Sequence, residues 1–135
     1  MYKYETKIRV RYAETDQMGF VYYGNYPAYY EVARVECLRN LGYSYKEMEA
    51  SGVGMPVLDL AIKYAAPAKY DDLLTITVSI PEMPRARIKF RYEVTNDAGK
   101  LINTGETTLV FMNMVSGRPV KMPQIMHDLF KPYYD

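Results

Sequence analysis

The strongest constraint in this chain is a change of hydrophobic period partway along it. Leu74, Ile76, Val78 and Ile80 alternate with Thr75, Thr77 and Ser79, and Ile88, Phe90, Tyr92 and Val94 alternate with Arg87, Lys89, Arg91 and Glu93. Period two sends successive side chains to opposite faces, so each run reads as a strand with one buried and one wet face. The first residues behave in the same way. Tyr2, Tyr4, Thr6, Ile8, Val10 and Tyr12 lie on one side, and Lys3, Glu5, Lys7, Arg9 and Arg11 on the other. Val57 to Ala66 is an apolar strand interrupted by Asp59 and Lys63 and stopped by Pro67. Leu101 to Met114 is a long strand in which Gly105 marks a bulge or a close approach. Asn96-Asp97-Ala98-Gly99 is a turn that joins it to the preceding strand as a hairpin.

Only one stretch carries the period of a long helix. Asn25 is placed to cap it, Pro27 falls in its first turn and Gly42 suits its stop. Ala28, Val32, Val35 and Leu38 recur at helical spacing, with Glu31, Arg34 and Arg39 outside that stripe. The spacing predicts about four turns at 3.6 residues per turn. Shorter helices are expected around Tyr45–Ala50 and from Pro123 to Phe130. Strand, loop, long helix and about four further strands make an α+β domain, and nothing in 1–135 marks a second domain or a repeat. One helix covers one face of such a sheet. A second copy would protect the strand edges and the remaining apolar surface, so a homodimer or homotetramer is expected.

Composition removes several function classes. The net charge of +1 provides no global field for nucleic acid or an anionic membrane, so any anion site must be local. The single cysteine, Cys37, excludes a disulfide framework and a two-cysteine metal site, and its place in the helical pattern reads as a buried thiol. Fifteen tyrosines without tryptophan fit sheet positions and half-buried rings of a pocket or subunit interface. Lys3 and Glu5 stand where a secretory signal would need apolar residues, and no apolar run is long enough to span a bilayer. A soluble, cytoplasmic protein is the expectation.

The familiar catalytic patterns are missing. His127 is the only histidine and lies near the C-terminus. No serine sits in a Gly-x-Ser-x-Gly context, no glycine-rich nucleotide fingerprint is present, and no residues have metal-ligand spacing, so neither a metal nor a bound cofactor is expected. What remains is Asp16, in the loop Thr15 to Gly19, followed by Tyr22-Tyr23-Gly24-Asn25-Tyr26-Pro27 at the helix start. Free amides at a helix start can polarise a carbonyl oxygen as negative charge develops on it. A nearby carboxylate can activate water or attack an acyl carbon directly. Thioesters have a good leaving group, so these two elements suffice without histidine or metal. The competing reading is that Asp16 only hydrogen-bonds its own loop, as aspartate often does.

The run Arg11-Tyr12-Ala13-Glu14-Thr15-Asp16-Gln17-Met18-Gly19-Phe20-Val21-Tyr22-Tyr23-Gly24-Asn25-Tyr26 resembles the 4-hydroxybenzoyl-CoA thioesterase family of hotdog-fold enzymes. Tyr29-Tyr30-Glu31-Val32-Ala33-Arg34 resembles that family's central helix, and Gly117-Arg118-Pro119 extends the likeness towards the end. Within the family the chain looks closest to the bacterial acyl-CoA thioesterases. The resemblance implies a single hotdog domain over 1–135, an antiparallel sheet wrapped around one long central helix. It also implies hydrolysis of an acyl-CoA to a carboxylic acid and free coenzyme A, the coenzyme being part of the substrate.

By the same resemblance, Asp16 is the catalytic carboxylate and the backbone N–H of Tyr23 faces the thioester oxygen. Gly24 and Asn25 are the small and polar positions that open the helix. Many acyl-CoA members carry histidine where this chain has Tyr23; a backbone donor survives that change, whereas an imidazole role does not. Arg85, Arg87, Lys89 and Arg91 read as one face of a strand, and Arg85 and Arg87 lie near where related enzymes hold the nucleotide. An ordinary solvated face is the competing reading. Arg118 and Lys121 are further cations. The site of hotdog enzymes lies between subunits, so these cations are expected to serve the partner's Asp16. Tyr22, Tyr26, Tyr29 and Tyr30 line the acyl pocket or pack in the core. Two other functions share the fold: a non-catalytic acyl-CoA binding module, which needs no carboxylate, and an acyl-thioester hydratase or dehydratase, which needs a histidine near the site.

Overall fold

The computed structural model describes residues 1–135. In chain order the elements are β1 (Tyr2–Arg9), α1 (Tyr26–Leu41), α2 (Tyr45–Ala50), β2 (Val53–Gly54), β3 (Val57–Tyr64), β4 (Leu73–Ile80), β5 (Arg87–Thr95), β6 (Leu101–Val110), β7 (Met112–Asn113) and α3 (Gln124–Phe130). Five strands form one antiparallel sheet in the order β1-β4-β5-β6-β3, and β2 pairs with β7. The alternation in the sequence is met in space: Leu74, Ile76, Val78 and Ile80 of β4 and Ile88, Phe90, Tyr92 and Val94 of β5 are all buried. At the β5–β6 turn, Asn96 Oδ1 accepts from the amides of Ala98 and Lys100, and Gly99 takes the left-handed φ of 79°. α1 lies across the inner face of the sheet and ends at Gly42, whose φ of 115° is open only to glycine at low cost. No helix is long and apolar enough to cross a membrane.

Two sequence expectations are corrected. The first strand ends at Arg9, not at Tyr12, because the Arg11 amide and guanidinium both bind the Glu14 carboxylate and turn the chain. Tyr12 is left exposed, with its ring stacked on Tyr70 at 3.7 Å. The inner face of α1 is also different. Its buried residues are Tyr26, Tyr29, Tyr30, Ala33, Arg34, Cys37, Leu38 and Leu41, whereas Ala28 and Val32 are exposed and Val35 only partly covered. Tyrosine makes the inner stripe because its hydroxyls find partners there: Tyr30 donates to Asn103 Oδ1, and Tyr29 donates to Glu14. The helix is therefore apolar on two sides, and the outer side is uncovered within one protomer. Cys37 is fully buried, and burial pushes its thiol up to about 12, which makes it inert at neutral pH.

Gly105 is a close approach. The Tyr30 ring packs over it and stacks on Tyr92 with centroids 4.1 Å apart, and a Cβ at position 105 would lie 2.5 Å from the Tyr30 ring and hydroxyl. Gly105→Ala is expected to cost about 1–3 kcal/mol of stability through overpacking, read as a thermal midpoint several degrees lower.

The two sheet edges differ in character. β1 shows Lys3, Glu5, Lys7 and Arg9 to solvent, and the Tyr2 amide is taken by the Tyr134 hydroxyl. β3 shows Val57, Leu58, Leu60 and Tyr64, each between 43% and 51% exposed, along an edge with no second neighbour. Charge guards the first edge; the second is apolar and open.

Candidate active site

Asp16 is held by a small closed loop. Thr15 bridges to Val21 and Phe20 to Lys69, the Asp16 amide donates to Phe20 O at 2.8 Å, and the Gly19 amide donates back to Asp16 O at 2.9 Å. Gly19 makes the turn with a φ of 81°. Asp16 Oδ1 accepts from the amides of Met18 at 2.9 Å and Phe20 at 3.2 Å. The loop-bonding reading is thus correct as far as it goes. It occupies one oxygen of the carboxylate, while Oδ2 has no partner in the protomer and the residue is exposed.

The chain then enters α1 through a tight turn, Tyr23–Asn25, instead of a capped start. Asn25 precedes the helix but does not cap it. Its backbone is already helical, and its side-chain amide donates to Glu14 O at 2.8 Å. The Tyr22 amide also reaches Glu14 O, and the Asn25 amide reaches Tyr22 O. The amides of Tyr23 and Gly24 between them donate to no group in the protomer. They are the unsatisfied donors of a helix start, at its positive end. The Tyr22 ring packs close over Gly24, where a Cβ would lie 2.7 Å from it and push the ring aside.

Two residues that the sequence did not single out hold this arrangement. Glu14 joins the loop to the helix, accepting from Arg11 N at 2.9 Å, Arg11 Nη2 at 3.0 Å and Tyr29 Oη at 2.9 Å. Partial burial pushes its carboxyl up, but the Arg11 and Tyr29 donors outweigh that and hold it below the ordinary carboxylate range. Tyr64 Oη donates to Tyr23 O at 3.0 Å and so fixes the peptide that carries the Gly24 N–H. Arg34, further along α1 itself, is buried. The Arg11-to-Glu14 spacing is a local signal for the first; Tyr64 has none, lying 41 residues from its partner. Tyr22 and Tyr23 are exposed and pack on one another, whereas Tyr26 is buried between Tyr29 and Tyr64 and shows no open surface. Burial, then Tyr64, pushes the Tyr26 phenol up to about 12.

Glu14 gives a pH test with a definite sign. A carboxyl whose folded pKa is depressed stabilises the fold in full above its free value of 4.5, and that contribution is lost as pH falls through the lower folded value. Glu14→Gln is expected to cost about 1 kcal/mol at neutral pH, as for a hydrogen-bonded charge. The melting-temperature gap between wild type and variant should close as the pH is taken below 4.5.

A groove of about 370 Å³ runs between α1 and β3, from Gly24 past Ala28 and Glu31 to Arg34 on the helix side, and along Val57 and Leu60 on the strand side. A larger hollow of about 520 Å³ lies on the outer face of the sheet over Thr77, Ser79 and Thr104. That one is an open polar saddle away from the free amides, and the smaller groove is the one continuous with the helix start.

The cations are placed elsewhere. Arg85 precedes β5, so only Arg87, Lys89 and Arg91 share its outer face. Lys89 and Arg91 approach Glu106 at 3.9 and 2.9 Å, while Arg85 and Arg87 have no ion-pair partner. The register puts Arg87 opposite Val110, at the end of the sheet where Val57 meets Leu109. Asp16's loop and Tyr64 sit at the other end, beyond Arg9 and Leu73. An eight-residue strand separates the two ends by roughly 26 Å at about 3.3 Å per residue. The protomer does not bring Arg85 and Arg87 to its own Asp16. His127 lies on α3 between Gln124 and Asp128.

Comparison with known proteins identifies the family and the fold. Residues 10–130 match the model of the thioesterase-like superfamily. The acyl-CoA thioester hydrolase YbgC of Escherichia coli O6:H1 is 33% identical over 124 residues, covering 92% of each chain. The crystal structure of DHNA-CoA thioesterase from Staphylococcus aureus superposes with a TM-score of 0.91 at 34% identity, over 98% of this chain and 89% of that one. A 4-hydroxybenzoyl-CoA thioesterase crystallised with 4-hydroxybenzoyl-CoA has the same fold, with a TM-score of 0.85 at 22% identity over 96% and 99% of the two chains. A family match across nearly the whole chain, relatives at a third identity and one long helix laid across a five-stranded antiparallel sheet lead to a single conclusion: this chain is a hotdog-fold member of the thioesterase-like superfamily.

Proposed function

We propose that the protein hydrolyses acyl-CoA thioesters to a carboxylic acid and free coenzyme A, with Asp16 as the working carboxylate and the amides of Tyr23 and Gly24 as the oxyanion site. One observation carries this reading. A single folded unit holds a carboxylate pinned through one oxygen and two unclaimed amides at a helix start. The free carboxylate oxygen takes a proton from water as hydroxide adds to the acyl carbon, or it adds to that carbon itself. Either way the carbonyl oxygen becomes an oxyanion, which the amides stabilise, and collapse expels the coenzyme A thiolate; after direct attack, water then cleaves the acyl anhydride on Asp16 to release the acid and restore the carboxylate. The names of the relatives, an acyl-CoA thioester hydrolase and a DHNA-CoA thioesterase, support the substrate class.

The working unit in this reading is a homodimer joined edge to edge through β3. Two-fold antiparallel pairing of β3 with its mate sets the Val57 end of one protomer against the Tyr64 end of the other. Arg85 and Arg87 of the partner subunit then lie at the same end of the continuous sheet as this protomer's Asp16. That brings two arginines without ion-pair partners to the Asp16 end for the phosphates of coenzyme A, and it covers the exposed Val32 and Leu60.

The test offers purified protein a panel of short, long and aromatic acyl-CoAs and follows free thiol release. Turnover of at least one class is expected. Tight binding of the panel with no thiol released would make the protein a non-catalytic acyl-CoA binding module instead.

A further inference from the structure

We infer that Arg34 gives the groove beside α1 a polar far end, so that the preferred acyl groups carry a neutral oxygen acceptor at that distance and plain alkyl chains are disfavoured. This inference rests on the hydrolysis proposed above and names the acyl class that the site takes.

Arg34 lines the groove, yet only 7% of the residue is exposed. Its guanidinium is poorly matched. Nε is buried with no partner, Nη1 reaches the Tyr92 hydroxyl at 3.5 Å, the outer limit of a hydrogen bond, and Nη2 stands 4.0 Å from Glu31. The Tyr92 oxygen is already engaged with Thr107 Oγ1 at 2.6 Å. Arginine cannot shed its charge on burial, so the mismatch is not relieved by deprotonation. A desolvated cation whose Nη atoms make only long contacts is costly, and an acceptor delivered to them by a ligand would offset part of that cost.

The remaining lining tells which kind of ligand. The groove opens at Gly24, where the free amide lies, and continues over Ala28, Val57 and Leu60, which suit methylene or ring carbons. It ends at the guanidinium. Along its length the order is donor, apolar wall, cation, which is the pattern of a thioester, a carbon spacer and a terminal oxygen. The Glu31 side chain is 68% exposed and sits on the solvent side of Arg34, so it offsets part of the positive charge and favours a neutral oxygen over a carboxylate. An unfunctionalised chain of the same length would complete the desolvation of Arg34 and return nothing for it.

The test uses medium-chain acyl-CoAs carrying one ketone at successive carbons beyond the β position, each compared with its all-carbon parent. In wild type, kcat/KM should rise about tenfold over the parent at one ketone position and stay near the parent elsewhere, the discrimination expected of one hydrogen bond to a charged group. In Arg34→Met that peak should vanish and the all-carbon parent should improve. Tyr92 keeps Thr107 as a partner in this variant, so no new buried orphan is made. Arg34→Lys should retain part of the peak, and thermal melts on both variants report folding. A flat ketone profile in wild type, or the same peak in Arg34→Met, would overturn the inference. If wild type hydrolyses none of the panel, the proposed activity fails; if it hydrolyses the panel through Asp16 with no ketone preference, only the role of Arg34 fails.

Discussion

Replacing Asp16 with asparagine is expected to lower kcat by about 100-fold or more, with KM within about twofold of wild type, as for removal of a general base or nucleophile. The substitution is well controlled by the structure. Asparagine keeps the carbonyl oxygen that receives the Met18 and Phe20 amides, so the loop retains both of its hydrogen bonds. What changes is the oxygen without a partner, which becomes a neutral amide nitrogen that can neither take a proton nor attack carbon. Steady-state kinetics on the best thioester of the panel, together with equal melting temperatures, would separate chemistry from folding. Asp16→Ala should be worse on both counts, because it also removes the acceptor that closes the loop. An asparagine variant that turns over at the wild-type rate would remove Asp16 from the mechanism.

The second large effect is expected at the open edge. Leu60 is 43% exposed on β3 and lies across the groove from α1. Leu60→Asp would place one carboxylate from each protomer near the two-fold axis of the proposed dimer, desolvated and facing its own copy. A penalty of about 4 kcal/mol is in the range for unpaired buried charge, and it weakens dimerisation about 1000-fold. Light scattering should report a monomer, and kcat/KM should fall with the dimer. Subunit mixing gives an independent check. Asp16→Asn homodimers and Arg85→Ala/Arg87→Ala homodimers are each expected to be impaired. A mixed dimer regains one site in which an intact Asp16 from one chain meets intact arginines from the other. Activity that reappears on mixing supports a shared site; no recovery, with mixed dimers verified by mass spectrometry, would place both functions within a single protomer.

Much of the fold was legible because strand alternation is a local signal. β4 and β5 bury the very residues whose period-two spacing marked them, and the Asn96 turn sits where its residue types require it. The helix boundaries followed for a similar reason, since Gly42 is a glycine that the backbone needs at a left-handed position. The inner face of α1 was not legible. Tyrosine at positions 26, 29 and 30 looks amphipathic in sequence, and whether it turns inward depends on Glu14 and Asn103, which are distant partners. Arg34 was misassigned with it, since a guanidinium is expected in solvent unless a groove is there to hold it. The Asp16 loop was legible as a loop with a carboxylate. That one oxygen is bound and the other is not became visible only once the Met18 and Phe20 amides had places.

Local chemistry in the chain determined the element types and the single long helix, and it placed a carboxylate, Asp16, in the loop that precedes that helix. Those follow from neighbours within a few residues, where backbone geometry leaves little choice. Three things were settled by the tertiary structure alone: the unclaimed Tyr23 and Gly24 amides, the Tyr64 hydrogen bond that fixes the second of them, and the separation of Arg85 and Arg87 from the loop. Each is a relation between segments far apart in the chain, and such relations are decided by how a helix is laid across a sheet and which strand is left at its edge.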